Sequence, residues 1–196
     1  MSITIFTLIV LLFSVVIHEV AHGSVALYLG DSTAKYAGRL TLNPLKHLDP
    51  LGTIMLLVVG FGWAKPVPIN PFNFRDKKWG PLKVAIAGPA VNFLIAILFG
   101  LAIRFINLSS IQENLFGTIS GYNFILGIFN LIPIPPLDGS HILFSFLPDT
   151  FAKFKFLFYQ YGSLILILFI FLGGSKFLFL GANFLFYFVT GQSLGI

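Results

Sequence analysis

Residues 3–30 read ITIFTLIVLLFSVVIHEVAHGSVALYLG, and the reading of this stretch decides the fold. Apart from His18, Glu19 and His22, its only polar side chains are those of Ser, Thr and Tyr. A helical run of this length crosses a hydrocarbon core of about 30 Å with some tilt. On such a helix residues four apart share a face, so His18 and His22 aim their imidazoles at one metal ion. Glu19 stands beside them, placed to take a proton from a metal-bound water. A charged group in hydrocarbon costs about 2.5–3.5 kcal/mol on insertion scales, so a glutamate kept there usually has a function. The chain has four His and two Glu in 196 residues, and random placement would give His-Glu-x-x-His in about one such chain in a thousand. The competing account is a pair of packing histidines with a buried Glu as partner.

Composition places the whole chain in the same setting. Hydrophobic residues make up 57% of it and charged residues 10%, against about 45–50% and about 25% in soluble domains. An integral membrane protein of one domain, residues 1–196, is expected, since no polar segment is long enough to fold by itself. The net charge of +5 comes from basic residues scattered between apolar runs. They read as orientation determinants and not as a nucleic-acid surface. The absence of Cys excludes disulfides, thiolate nucleophiles and Cys-based metal sites. The N-terminal run has no Lys or Arg before Lys35 and is too long for a signal-peptide core.

The pattern predicts an all-α polytopic protein with about five transmembrane helices, at residues 3–29, 82–106, 115–132, 154–172 and 177–189. A catalytic core would occupy about 3–147 and a C-terminal helical pair about 154–190. Residues 38–42 alternate like a short membrane-proximal strand. Residues 51–63 are apolar but short and Gly-interrupted, which suits a re-entrant segment. Residues 64–81 hold four prolines and suit an extended, edge-like loop. Re-entry would place Lys35, Arg39, Lys46, Lys65, Arg75, Lys77, Lys78, Lys83, Lys153 and Lys155 on one side, with Arg104 and Lys176 opposite. The positive-inside rule then puts the N-terminus outside and the C-terminus in the cytoplasm.

Catalytic zinc commonly takes three protein ligands and leaves one position open. The candidates for a third ligand are Asp31, Asp49, Asp76, Asp138, Asp149, Glu113, His47 and His141. Asp138 stands out because Pro133, Pro135 and Pro136 break the helix just before it and Gly139 permits a sharp turn after it. Broken helices at membrane depth are tolerated where they line a cavity. The alternative for Asp138 is an ordinary interfacial turn. His141, three residues on, is a further candidate near the site or an interfacial histidine. His47, between Lys46 and Asp49, reads as solvated. Arg39, Lys65 and Arg75 read as orientation and headgroup contacts.

The ordered set of motifs resembles the site-2 protease family of intramembrane zinc metalloproteases, peptidase family M50. It comprises His18-Glu19-Val20-Ala21-His22, then Gly38-Arg39-Leu40-Thr41-Leu42-Asn43-Pro44 and Gly62-Trp63-Ala64-Lys65-Pro66-Val67-Pro68. Gly88-Pro89-Ala90-Val91-Asn92-Phe93 and the Asn130-to-Gly139 segment complete it. The resemblance covers nearly all of residues 14–147. It implies that His18, His22 and Asp138 bind Zn2+, that Glu19 is the general base, and that Asn92 contacts substrate or the oxyanion. Asn92 as a packing or capping amide is the alternative. It further implies that the extended regions near 38–44 and 65–71 hold an unwound substrate, as an exposed strand edge can. Unlike larger relatives, this sequence shows no PDZ domain between the early spans and no C-terminal CBS domains.

The expected function is therefore a zinc-dependent endopeptidase that cleaves transmembrane segments of membrane proteins. Its expected partners are those substrates and the lipid bilayer, with no nucleic acid. The compact form suggests a multi-pass protein of a bacterial cell membrane with the active site toward the cytoplasm. The alternative is a membrane transporter or metal carrier, which also uses broken helices and intramembrane ionisable residues. Glu19 discriminates, since a transport site has no need of a base next to two histidines.

Overall fold

The computed structural model describes residues 5–59 and 64–195. The chain is mostly helical, and the described residues contain no sheet, only an isolated antiparallel bridge between Leu48 and Ala64. It divides into two compact units, Met1–Gly88 and Pro89–Ile196.

The first unit begins with α1, Ile5–Tyr28, whose 24 residues extend about 36 Å. It ends at Gly30, where φ is +109° and an added Cβ would lie 3.1 Å from the Asn73 carbonyl. Only glycine meets both demands comfortably. One turn of helix, α2 (Thr33–Tyr36), and a 3-10 turn at Pro44–Lys46 lead to α3, Pro50–Val59. At 10 residues, α3 is about 15 Å long, half a bilayer core. Residues 60–63, the end of the expected re-entrant segment, lie outside the described residues. An extended stretch and a 3-10 turn at Pro71–Asn73 then lead to α4, Gly80–Phe105. Ala26, Leu29, Phe74 and Val84 form the buried apolar cluster of this unit.

The second unit takes up α4 from Pro89 and adds α5 (Ser110–Leu131), α6 (Asp138–Phe146), α7 (Ala152–Phe169) and α8 (Ser175–Thr190). The Ser109 and Gln112 side chains form a capping box at the start of α5, which begins that helix five residues before the expected 115. A π-type turn at Ile170–Gly174 joins α7 to α8, with Gly173 at φ +96°. Gly191 ends α8 in the left-handed conformation. Ala96, Ile103, Phe124, Ala182, Phe186 and Leu194 form the core here.

Each of the five expected spans coincides with a helix. Among the described residues, three stretches are long and apolar enough to cross a membrane: Ile5–Tyr28, Gly80–Phe105 and Ala152–Thr190. The polar residues of α5, among them Gln112, Glu113, Asn114 and Asn123, keep it out of that set. The strand expected at 38–42 does not form. Gly38 turns at φ +63°, Arg39 N–H bonds back to the Ala34 carbonyl, and Asn43 N–H goes to Thr41 Oγ1. Local turns consume the donors that a strand would have needed.

Candidate metal centre

In the first unit α1 places His18 and His22 one turn apart, both buried. Their Nε2 atoms are 3.0 Å apart and the rings meet at 83°. His22 Nδ1 lies 2.7 Å from the carbonyl of Val84 on α4. A carbonyl only accepts, so Nδ1 carries the proton and His22 Nε2 presents a lone pair.

Gly88, also on α4, faces the pair. A Cβ there would overlap His22 Nε2 and sit 2.5 Å from both Cε1 and Nε2 of His18. The space beside the two nitrogens therefore exists because residue 88 has no side chain. Two ligands at about 2.0–2.1 Å from a tetrahedral zinc lie about 3.3 Å apart, close to the 3.0 Å observed. Nitrogen donors, a fixed tautomer and a cleared flank all suit a zinc ion.

Glu19 is half-buried, and its Oε2 accepts the Val67 N–H at 2.8 Å. The stretch around Val67 is extended, yet its donors point inward. Lys65 N–H goes to the His47 carbonyl and Asn70 N–H to Asp31 Oδ2. Pro66 and Pro68 supply none, so the alternate edge is poor in donors. Behind it, Gly23 lets Leu40 and Val67 approach α1: a Cβ at residue 23 would sit 2.6 Å from Leu40 Cδ2 and 3.0 Å from Val67 Cγ1.

Two polar residues differ from their expected settings. His47 is 1% exposed, not solvated, and its Nε2 lies 2.9 Å from the Thr41 carbonyl. Arg39 is buried, not a headgroup contact, and its Nη2 donates to the Lys65 carbonyl at 2.6 Å and the Pro66 carbonyl at 3.3 Å. Both serve to hold the chain on either side of residues 60–63. Lys65 and Arg75 are exposed. Asp31, considered as a ligand, is instead fully buried as a latch. It accepts from Thr33 N and Oγ1, from Asn70 N at 2.7 Å and from Asn73 Nδ2 at 2.8 Å. Burial pushes its carboxyl up, and these hydrogen bonds outweigh that and hold it below its usual value. Asp76, paired with Lys83 at 2.9 Å, is lowered chiefly by that contact.

The second unit holds the other predicted site residues. Asp138 is the first residue of α6 and is half-buried, with the turn 132–137 ahead of it. Gly139 presses against the Leu131 and Ile132 carbonyls, where no Cβ fits. His141 is exposed, and its Nδ1 lies 3.1 Å from the Tyr159 hydroxyl. Asn92 is fully buried and its Nδ2 donates to Asn123 Oδ1 at 2.8 Å, joining α4 to α5. Asn123 was not singled out from sequence; an Asn inside an apolar helix was the available signal.

The sequence profile of peptidase family M50 matches residues 107–173. The chain is similar to the Bacillus subtilis protein named "Putative zinc metalloprotease YwhC", with 40% identity over 152 residues, 73% of this chain and 69% of that one. It is similar to "Zinc metalloprotease MJ0392" of Methanocaldococcus jannaschii, 34% identical over 151 residues, 76% of this chain and 36% of the relative. "Putative zinc metalloprotease Rip2" of Mycolicibacterium smegmatis is 34% identical over 140 residues, 65% of this chain and 52% of the relative. The chain thus spans about a third to a half of the latter two. No solved structure matches it significantly.

Proposed function

Because the chain belongs to peptidase family M50, we propose that it is a zinc-dependent intramembrane endopeptidase that cleaves transmembrane segments of membrane proteins. The observation that carries this reading is the convergence of the His18 and His22 Nε2 atoms beside Gly88. The names of the relatives, zinc metalloproteases, support it.

In this reading His18, His22 and Asp138 hold the ion. Zinc supplies Lewis-acid polarisation of a water and of the scissile carbonyl. Glu19 takes the proton of the attacking water and delivers it to the leaving amine nitrogen. The Val84 carbonyl keeps His22 in the tautomer that can ligate. Asp138 opens α6 after a break in the helical backbone. Asn92 is assigned to the substrate or its oxyanion on the family resemblance, and Asn123 keeps its amide oriented. His141 is assigned a supporting place beside Asp138, one helical turn away.

All five long helices cross the bilayer in this reading and α3 enters and returns, since its described part reaches only half-way. The polar loops between α1 and α4 carry most of the basic residues and face the cytoplasm of a bacterial cell. The donor-poor edge at residues 65–71 binds an unwound substrate through its carbonyls. Because the chain has no Cys, Lys46→Cys and Lys77→Cys are clean reporters. Both should label from the same membrane face, and labelling from opposite faces removes re-entry.

The function is tested by Glu19→Gln and Asp138→Asn in purified protein, with zinc content and cleavage of a transmembrane peptide read together. Glu19→Gln should keep about one zinc per chain and lower cleavage by about 10²–10⁴-fold. Asp138→Asn should lose zinc. Undiminished cleavage in the first variant removes the base assignment, and undiminished zinc in the second removes the third ligand.

A further inference from the structure

We propose that Arg39 is a positioning residue for the general base, acting through the peptide bond between Pro66 and Val67. The proposal rests on the reading of Glu19 as that base. One planar peptide unit is held at both ends: its carbonyl, of Pro66, accepts from Arg39 Nη2 at 3.3 Å, and its N–H, of Val67, donates to Glu19 Oε2 at 2.8 Å. The same Nη2 grips the Lys65 carbonyl at 2.6 Å. A cation on the carbonyl side and a carboxylate on the N–H side polarise the amide in the same sense, so each hydrogen bond strengthens the other.

The surroundings leave this peptide little freedom. Arg39 is 7% exposed, and the hydrogen bonds its guanidinium makes, both from Nη2, go to the Lys65 and Pro66 carbonyls. Lys65 N–H is tied to the His47 carbonyl at 2.8 Å, and Asn70 N–H to Asp31. Pro66 and Pro68 fix the backbone on either side and carry no N–H, so within residues 66–68 only Val67 can serve Glu19. The Val67 side chain rests against Gly23, one residue beyond His22. Sliding the segment toward α1 meets that helix and stretches the grip of Arg39, and sliding it away breaks the Val67–Glu19 hydrogen bond. With Oε2 engaged, the rotation of the carboxylate is set and Oε1 is kept for the proton in transit.

The test uses the 196-residue chain in detergent with Arg39→Ala, Arg39→Lys and Glu19→Gln. The probe is a quenched fluorogenic transmembrane peptide of about 25 residues, the one cleaved fastest by the wild type from a randomised set. A second readout, independent of turnover, is amide hydrogen exchange at Val67 in metal-free protein, with Phe186 in the core of the second unit as reference. Arg39→Ala should lower kcat by about 10–100-fold, with KM within about threefold and zinc content unchanged. Val67 exchange should rise at least about tenfold while Phe186 stays constant. Arg39→Lys should recover most of kcat, because an ammonium also donates to carbonyls. Wild-type kcat or unchanged Val67 exchange in Arg39→Ala overturns the proposal. So does a fall in kcat accompanied by zinc loss or by faster Phe186 exchange, which assigns Arg39 a purely structural role. Retained cleavage in Glu19→Gln defeats the base assignment instead, and Val67 exchange still decides whether Arg39 governs that amide.

Discussion

Replacing Gly88 with Ala puts one methyl group where α4 meets the two histidines. Its carbon would stand 2.5 Å from His18 Nε2 and closer still to His22 Nε2, whereas ordinary contact begins at 3.4 Å. At least one imidazole must therefore move by about 0.9 Å, several times the roughly 0.2 Å by which a zinc–ligand distance can depart from its usual value. His22 cannot follow freely, because its Nδ1 is held by the Val84 carbonyl at 2.7 Å. The expected result is a loss of zinc affinity of at least about 100-fold, or about 2.8 kcal/mol, with overpacking adding about 1–3 kcal/mol of destabilisation. Competition with a chromophoric chelator measures the affinity directly. Gly117→Ala is the control, since its Cβ would meet only Phe186 at 3.9 Å. Wild-type affinity in Gly88→Ala would refute the reasoning that an absent side chain makes room for the metal.

Other consequences follow from the same geometry. Asp31 has a folded pKa below its unfolded value of about 3.9, so its contribution is complete above that value and is lost as pH falls through the folded pKa. Asp31→Asn should be less stable than wild type at neutral pH by about 2–3 kcal/mol, and the gap should narrow below about pH 4; a constant gap across thermal unfolding at pH 7, 4 and 3 removes the latch. Asn92→Ala should retain zinc while cleavage of a transmembrane peptide falls by about 10²-fold or more; unchanged cleavage leaves Asn92 a helix-bridging amide with Asn123. Ser109→Ala removes one half of the capping box of α5 and should cost about 1 kcal/mol, measured as a shift in thermal unfolding; no shift means that packing alone fixes the start of that helix.

The helices were legible because apolar length and the positions of proline and glycine declare them locally. The histidine pair was legible for a similar reason, since spacing of four on a helix dictates a shared face. Gly88 was visible as part of a motif, but its purpose was not, because that depends on residues 66 and 70 positions earlier in the chain. Arg39 and His47 were misjudged for the complementary reason. Polarity of a loop is a local property, whereas their burial comes from carbonyls of Thr41, Lys65 and Pro66 that fold over them. The strand at 38–42 failed because alternation of apolar residues says nothing about where the N–H groups find partners. Gly38 and the turns after it settle that locally.

Among the described residues, the long-range hydrogen bonds of residues 65–75 lead back to earlier parts of the chain. Lys65 answers to Arg39 and His47, Val67 to Glu19, Asn70 and Asn73 to Asp31, and Arg75 N–H to the Leu29 carbonyl. None of these five waits for a residue made later. During vectorial synthesis, the segment that holds the Glu19 carboxylate can therefore lock before α5 to α8 leave the ribosome.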